Sequence, residues 1–340
     1  MNGVLSKINV DSKDIGIFLD EGRLVINQGA RFDELSLDRL DEDGWCLPTR
    51  YRTLEKIIQN KTVYLHTSEG ANGRPYYFLI EALRADIWDS FSLIRVLTYK
   101  FHGSMLKYYL DLNGIPFTPM SIVDGDFGAY EDLGGEQYKD MLTVVDSKLN
   151  DFDQYRQRDR VWRGGLTVTW ADHSKEGTKR NDSVAKAVRN FYMHSKRTEG
   201  ISLDCFAWTY HKRFFDKVFS ANLGSKKNTH KYWGGQREGM GEAERRKISF
   251  LPQNLRGTND WSHKTHMAYL CNTYMDGTVR SFLVAHGVQV DDETYALSQL
   301  IQWLWRGCVR NDEPMTVFVP SKRMRHLLLT WLGYSDLELF

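Results

Sequence analysis

No G-x-x-x-x-G-K-[ST] loop occurs anywhere in the 340 residues, so the chain carries no phosphate cradle of the kind that holds the β- and γ-phosphates of a nucleotide. No apolar run approaches the roughly 20 residues needed to cross a bilayer. Met1 to Val10 lacks the basic-then-apolar order of a secretory signal, and a cytoplasmic protein without a membrane segment is expected. Cysteine is scarce. Cys46, Cys205, Cys271 and Cys308 lie far apart with no C-x-x-C pair, which points to buried reduced thiols instead of a zinc or redox motif. Neither G-x-S-x-G nor a convincing Cys/His pair is present for covalent catalysis. His263 and His266 lack the H-E-x-x-H context of zinc ligands and read as a helix-start pair.

What is present is the composition of a globular protein, 41% hydrophobic and 26% charged. The net charge is only +1, but its distribution is uneven. Residues 1–44 hold ten acids against five Lys/Arg and 124–153 nine against two, whereas 210–247 hold ten Lys/Arg against four acids. A basic stretch on a nearly neutral chain suits a phosphate-binding surface, and equally a solvated loop.

Short apolar runs read as strands at Ile15 to Leu19, Thr62 to His66 and Leu93 to Leu97. Helices are expected at 54–59, at 77–84 (YFLIEALR) and at about 103–112. The acidic, Gly-containing segment Asp124 to Gly135 reads as a surface loop, and the domain division is placed near 150, giving domains of 1–150 and 151–340. Beyond it strands alternate with helices. Strands are expected at 166–170, 202–208 and 248–252, and helices at Ser183 to His194 and through Phe219. MAYLCNTYM reads as a helix, a strong helix spans Tyr295 to Arg310, MTVFVP at 315–320 is a strand, and a last helix runs from Lys322 to Leu332. Such alternation predicts an α/β protein with a parallel sheet flanked by helices.

Four segments carry candidate chemistry. Gln302, Arg306 and Arg310 recur every fourth residue in YALSQLIQWLWRGCVRN, so a continuous helix would put them on one stripe, where two guanidinium groups could stabilise a transferring phosphoryl group. A solvent-facing stripe on an amphipathic helix would look the same. Asp20 and Glu21 end an apolar strand, and carboxylates in that position suit a hard cation, although strand ends commonly terminate in acids. Lys226, Lys227, Lys231, Tyr232, Trp233 and Arg237 set cations around two aromatic rings, a mixture that favours single-stranded nucleic acid unless Trp233 packs onto its own domain. The acids at Asp124, Asp126, Glu131 and Asp132 offer a nuclease-like metal cluster or a solvated loop.

The run FLPQNLRGTNDWSHKTHMAYL, with YALSQLIQWLWRGCVRNDEPMTVFVPSKRM after it, resembles the C-terminal part of the superfamily-two, DEAD/DEAH-type helicase-like proteins of phages and plasmids. In that family a glutamine precedes two arginines at helical spacing in the last motor motif, matched here by Gln302, Arg306 and Arg310; the arginines are four apart instead of three, with no glycine before Arg306. The resemblance implies a P-loop-NTPase-like (RecA-like) fold with a second motor domain and an incomplete first one. It also implies that Arg256, Thr258 and Asn259 touch nucleotide and nucleic acid, that Asp20 holds Mg2+ with Glu21 orienting water, and that Thr98 couples the two sites. Helix capping by Thr258, Asn259 or Asp260 is the alternative account of that loop. The activity implied is ATP-driven movement along single-stranded or duplex DNA in phage replication, with ATP and Mg2+ bound only if a second chain supplies the missing phosphate-binding (Walker A) loop. A non-enzymatic replication accessory that binds a host motor, and a metal-dependent nuclease, are the alternatives.

Overall fold

The structure is a computed structural model and describes residues 4–8, 62–69, 73, 75–123, 125–146, 153–156, 161–167, 175–212, 241, 247–253 and 259–335. In chain order its strands are β1 (Leu5–Ile8), β2 (Thr62–Glu69), β3 (Pro75–Ala82), β4 (Met120–Val123), β5 (Asp126–Ala129), β6 (Leu142–Val144), β7 (Asp153–Arg156), β8 (Val161–Gly164), β9 (Phe206–Thr209), β10 (His266–Tyr269) and β11 (Met315–Phe318). The α-helices are α1 (Met105–Leu112), α2 (Lys175–Thr198), α3 (Gly277–Ala285), α4 (Asp292–Leu304) and α5 (Lys322–Trp331). Contacts divide the chain into two units, Met1–Glu131 with Met275–Asp292, and Asp132–Tyr274 with Glu293–Phe340. None of the described helices is long and apolar enough to cross a membrane.

The first unit is built on an antiparallel sheet of order β1-β3-β2. The helix expected at 77–84 is instead most of β3, paired residue for residue with β2 from Thr62↔Ala82 to Glu69↔Pro75. Tyr76, Tyr77, Phe78, Leu79 and Ile80 are aromatic or apolar residues suited to a half-buried pleated surface, and TVYLH supplies the partner; the short run alone fits either period. Gly73, with φ +69°, takes the left-handed conformation in the connection. The Phe282 ring of α3 sits 5.1 Å from Tyr64 and 6.0 Å from His66, and His66 Nε2 meets Ser281 Oγ at 3.1 Å. Helix α1 starts where the Ser104 hydroxyl accepts from the Lys107 N–H. The strand expected at Leu93 to Leu97 is absent: these residues belong to no helix or strand, and all are exposed.

The second unit carries a fully parallel sheet of order β6-β11-β10-β9. Its central residues alternate between two apolar layers, because successive strand side chains point to opposite faces. Phe206, Trp208, Ala268 and Phe318 pack with Val184, Val188 and Phe191 of α2. Ala207, Met267, Tyr269, Met315 and Val317 pack with Leu300 and Trp303 of α4 and with Met324, Leu328 and Trp331 of α5. The parallel α/β reading therefore holds for this unit, with helices on both faces.

Three expectations need correction here. MAYLCNTYM does not form a helix: its first residues belong to β10, buried on both faces, where a continuous apolar run carries no alternation to reveal it. The strand expected at 166–170 opens on Leu166 with φ +64°, outside the extended region, Thr167 lies in no strand, and 168–170 lie outside the described residues. The strong helix stops at Leu304, six residues short of Arg310. Gly307 follows in a chain passage so close that a Cβ there would stand 2.5 Å from Met267 Sδ and 2.9 Å from the Lys264 carbonyl oxygen.

Candidate functional site

All four strands of the parallel sheet end at one edge. The chain leaving β6 runs through the hairpin β7–β8, where β7 contacts α5, before it reaches α2 on one face, whereas the chain leaving β11 turns directly into α5 on the other. Adjacent strands whose outgoing connections go to opposite faces leave a crevice beyond their carboxyl ends, where open α/β sheets bind ligands.

Helix α5 begins at this split. The Ser321 hydroxyl accepts from the Met324 N–H, and no acid occupies the first turn. That turn instead carries Lys322, Arg323 and Arg325, although the partial positive charge of a helix start disfavours cations. Arg325 donates to the Val319 carbonyl at 3.1 Å. Arg323 is 3% exposed, and its Nη1 donates to Asn272 Oδ1 at 3.2 Å and to the Thr273 carbonyl at 2.8 Å. Its guanidinium also lies 4.1 Å from the centroid of the Tyr274 ring, which is 43% exposed. One ring face is thus backed by a cation.

The loop after β10 is held from below as well. Gln253 Nε2 donates to Tyr269 Oη and to Thr273 Oγ1, each at 2.6 Å, and those two oxygens are 2.7 Å apart. Burial drives the Tyr269 phenol well above its ordinary pKa, so it stays a neutral hydroxyl. The Leu166 carbonyl accepts twice, from the Asn272 N–H at 2.9 Å and from His211 Nε2 at 2.7 Å. A carbonyl can only accept, so Nε2 bears the proton and the neutral ring keeps its lone pair on Nδ1. Burial lowers the His211 pKa, with the Leu166 hydrogen bond opposing only in part. Cys271 is fully buried, and burial raises its thiol pKa, which makes it a core residue and not a nucleophile. The edge therefore offers a helix start lined by cations, an aromatic face and a neutral imidazole. That inventory suits a phosphate carried on a stackable base.

The residues singled out in the sequence fall elsewhere. Asp20, Glu21, Arg256, Thr258, Lys226, Lys227, Lys231, Tyr232, Trp233 and Arg237 lie outside the described residues. Thr98 is exposed in the first unit. Gln302 is in the last turn of α4, Arg306 in the turn beyond it and Arg310 in the 3-10 helix Cys308–Asn311, so the three do not share one helical stripe. The N–H groups of Arg306 and Gly307 reach back three residues to the Trp303 and Leu304 carbonyls, which tightens and ends the helix. Arg310 donates to the Asn259 side-chain oxygen, and Cys308 N–H to the Lys264 carbonyl just before β10. These groups belong to the amino edge of the sheet, opposite to Arg323 and Tyr274.

Arg323, Tyr274, Asn272 and His211 were not reached from sequence. A signal existed in VFVPSKR, a strand followed by a serine cap and a basic first turn. It points to an anion site only when the strand is known to be parallel to its neighbours.

Residues 136–332 match the family described as YonV C-terminal Rossmann-like domain. The chain is also 24% identical over 336 residues to the SPbeta prophage-derived protein YonV of Bacillus subtilis (strain 168), covering 97% of this chain and 71% of that relative. No solved structure matches the chain. The edge cluster from Leu166 to Arg325 lies wholly within the span matched to the family.

Proposed function

This chain belongs to the family of YonV C-terminal Rossmann-like domains, and we propose that it is a phage protein that binds nucleic acid, acting as a binding accessory in phage DNA replication. The observation that carries this reading is the half-exposed Tyr274 ring backed by the Arg323 guanidinium beside the first turn of α5, where Lys322 adds a second cation. A phosphate at that turn sets a neighbouring base within reach of the Tyr274 ring, and the basic run at 226–237 adds backbone contacts. The prophage origin of the relative supports the setting.

A motor role is the less supported form of the same reading. It needs a Walker A loop and its ATP and Mg2+ from a second chain, and it assigns phosphate chemistry to Arg306 and Arg310 at the opposite edge of the sheet. Fluorescence anisotropy with labelled oligothymidine tests the binding role. Tyr274→Ala should weaken binding by roughly 1–3 kcal/mol, and Lys322→Ala should lower the salt dependence by about one ion. Unchanged affinity in both variants would remove the site. ATP turnover stimulated by single-stranded DNA would favour the motor.

A further inference from the structure

The first unit exposes apolar side chains on two neighbouring pieces of chain. The strap from Phe91 to Lys100 has no regular structure, and Phe91, Leu93 and Leu97 are 59%, 67% and 77% exposed. Beside it lies the hairpin β4–β5, whose register pairs Ile122 with Phe127 and Met120 with Ala129, so these four share one face. Arg95 of the strap sits 5.3 Å over the Phe127 ring, which makes strap and hairpin one continuous surface.

Nine large apolar side chains there, 37% to 77% exposed, present on the order of 800 Å², more than the largest patch of a typical monomer and equal to one side of a standard interface. A hairpin of two strands is also marginal without a covered face. The charges are self-complementary: residues 91–100 carry Arg95 and Lys100 and no acid, whereas the described residues of 120–131 carry Asp126 and Glu131 and no cation. Two copies related by a two-fold axis can set the basic strap of each on the acidic hairpin of the other. We infer that the protein forms a two-fold dimer through this surface, the strap of one copy covering the β4–β5 face of its partner.

Sedimentation equilibrium of the full chain over a concentration series tests the inference. The wild type should show a dimer, and Leu97→Asp and Ile122→Asp should each raise its dissociation constant at least about tenfold. Circular dichroism should be unchanged in both, because these side chains are exposed. Arg95→Glu should weaken the dimer, and adding Asp126→Arg should restore it. A wild type that stays monomeric throughout, or a dimer unaffected by both aspartate substitutions, overturns the inference.

Discussion

The guanidinium of Arg323 lies 4.1 Å from the centre of the Tyr274 ring while its Nη1 donates to the carbonyl of Thr273, one residue earlier, at 2.8 Å. One buried side chain of α5 therefore both ties down the loop after β10 and supports the aromatic face above it. Arg323→Ala should destabilise the second unit by about 2–4 kcal/mol, because it strands the Thr273 carbonyl and the Asn272 amide oxygen. Arg323→Lys should recover part of that loss, keeping charge but not the planar fork. Urea denaturation measures both, and a loss under 1 kcal/mol for the alanine variant would count against the anchoring role.

Thr209 ends β9 fully buried, and its hydroxyl has no hydrogen-bond partner among the described residues. A buried unsatisfied hydroxyl costs more than the isosteric methyl that would replace it. Thr209→Val should raise stability by about 1 kcal/mol, seen as a higher urea midpoint with an unchanged slope. A lower midpoint would mean that the hydroxyl has a partner after all.

Legibility from sequence followed how local each determinant is. Helix α5 was readable because Ser321 caps it and its apolar face repeats at helical spacing, and β11 because MTVFVP is short, apolar and bounded by prolines. The tyrosine-rich β3 and the fully buried β10 read as helices from sequence, since a short run of apolar and aromatic residues fits either period. The end of α4 was missed because the space that demands Gly307 is made by Met267 and Met315, neither of them a sequence neighbour. The edge cluster was hidden for the same reason. Arg323 meets Asn272 across 51 positions, and only the parallel pairing of β10 with β11 brings those loops together.

His266 links β10 to the end of α2: its Nε2 meets Glu199 Oε2 at 3.0 Å, and its Nδ1 meets Thr265 Oγ1 at 3.0 Å. A neutral ring donates from Nε2 to the carboxylate and accepts the Thr265 hydroxyl proton at Nδ1. Burial lowers the His266 pKa from 6.5, and Glu199 offsets only part of the shift. The folded state therefore takes up this proton less readily than the unfolded chain. The resulting stability is complete above about pH 6.5 and is lost as the pH falls through the folded value; His66 and His211, both also lowered by burial, act in the same direction. Glu199→Gln should lower the His266 pKa further, which an NMR titration of the imidazole reads directly. A raised pKa in that variant would contradict the arrangement.

Lys264 gives a pH dependence in a different window. It is 0% exposed, its Nζ donates to the Asp204 carbonyl at 2.8 Å, and burial lowers its pKa from 10.5 to about 7, with the Asp204 carboxylate opposing. Between those two values the unfolded chain holds a proton that the folded protein has released. Stability therefore rises with pH across that window, by up to about 1.4 kcal/mol per unit, and is lost as the pH falls toward 7. At neutral pH the folded protein carries most of the cost of burying a cation. Lys264→Met keeps the length of the side chain and removes the charge, while leaving the Asp204 carbonyl without its donor. The charge is the larger effect, so the variant should be more stable than wild type at pH 7 by about 1–3 kcal/mol and should lose the alkaline rise. Urea denaturation of both proteins at pH 7 and pH 9 measures the difference. Parallel stability changes between the two pH values would show that Lys264 keeps an ordinary pKa in the fold.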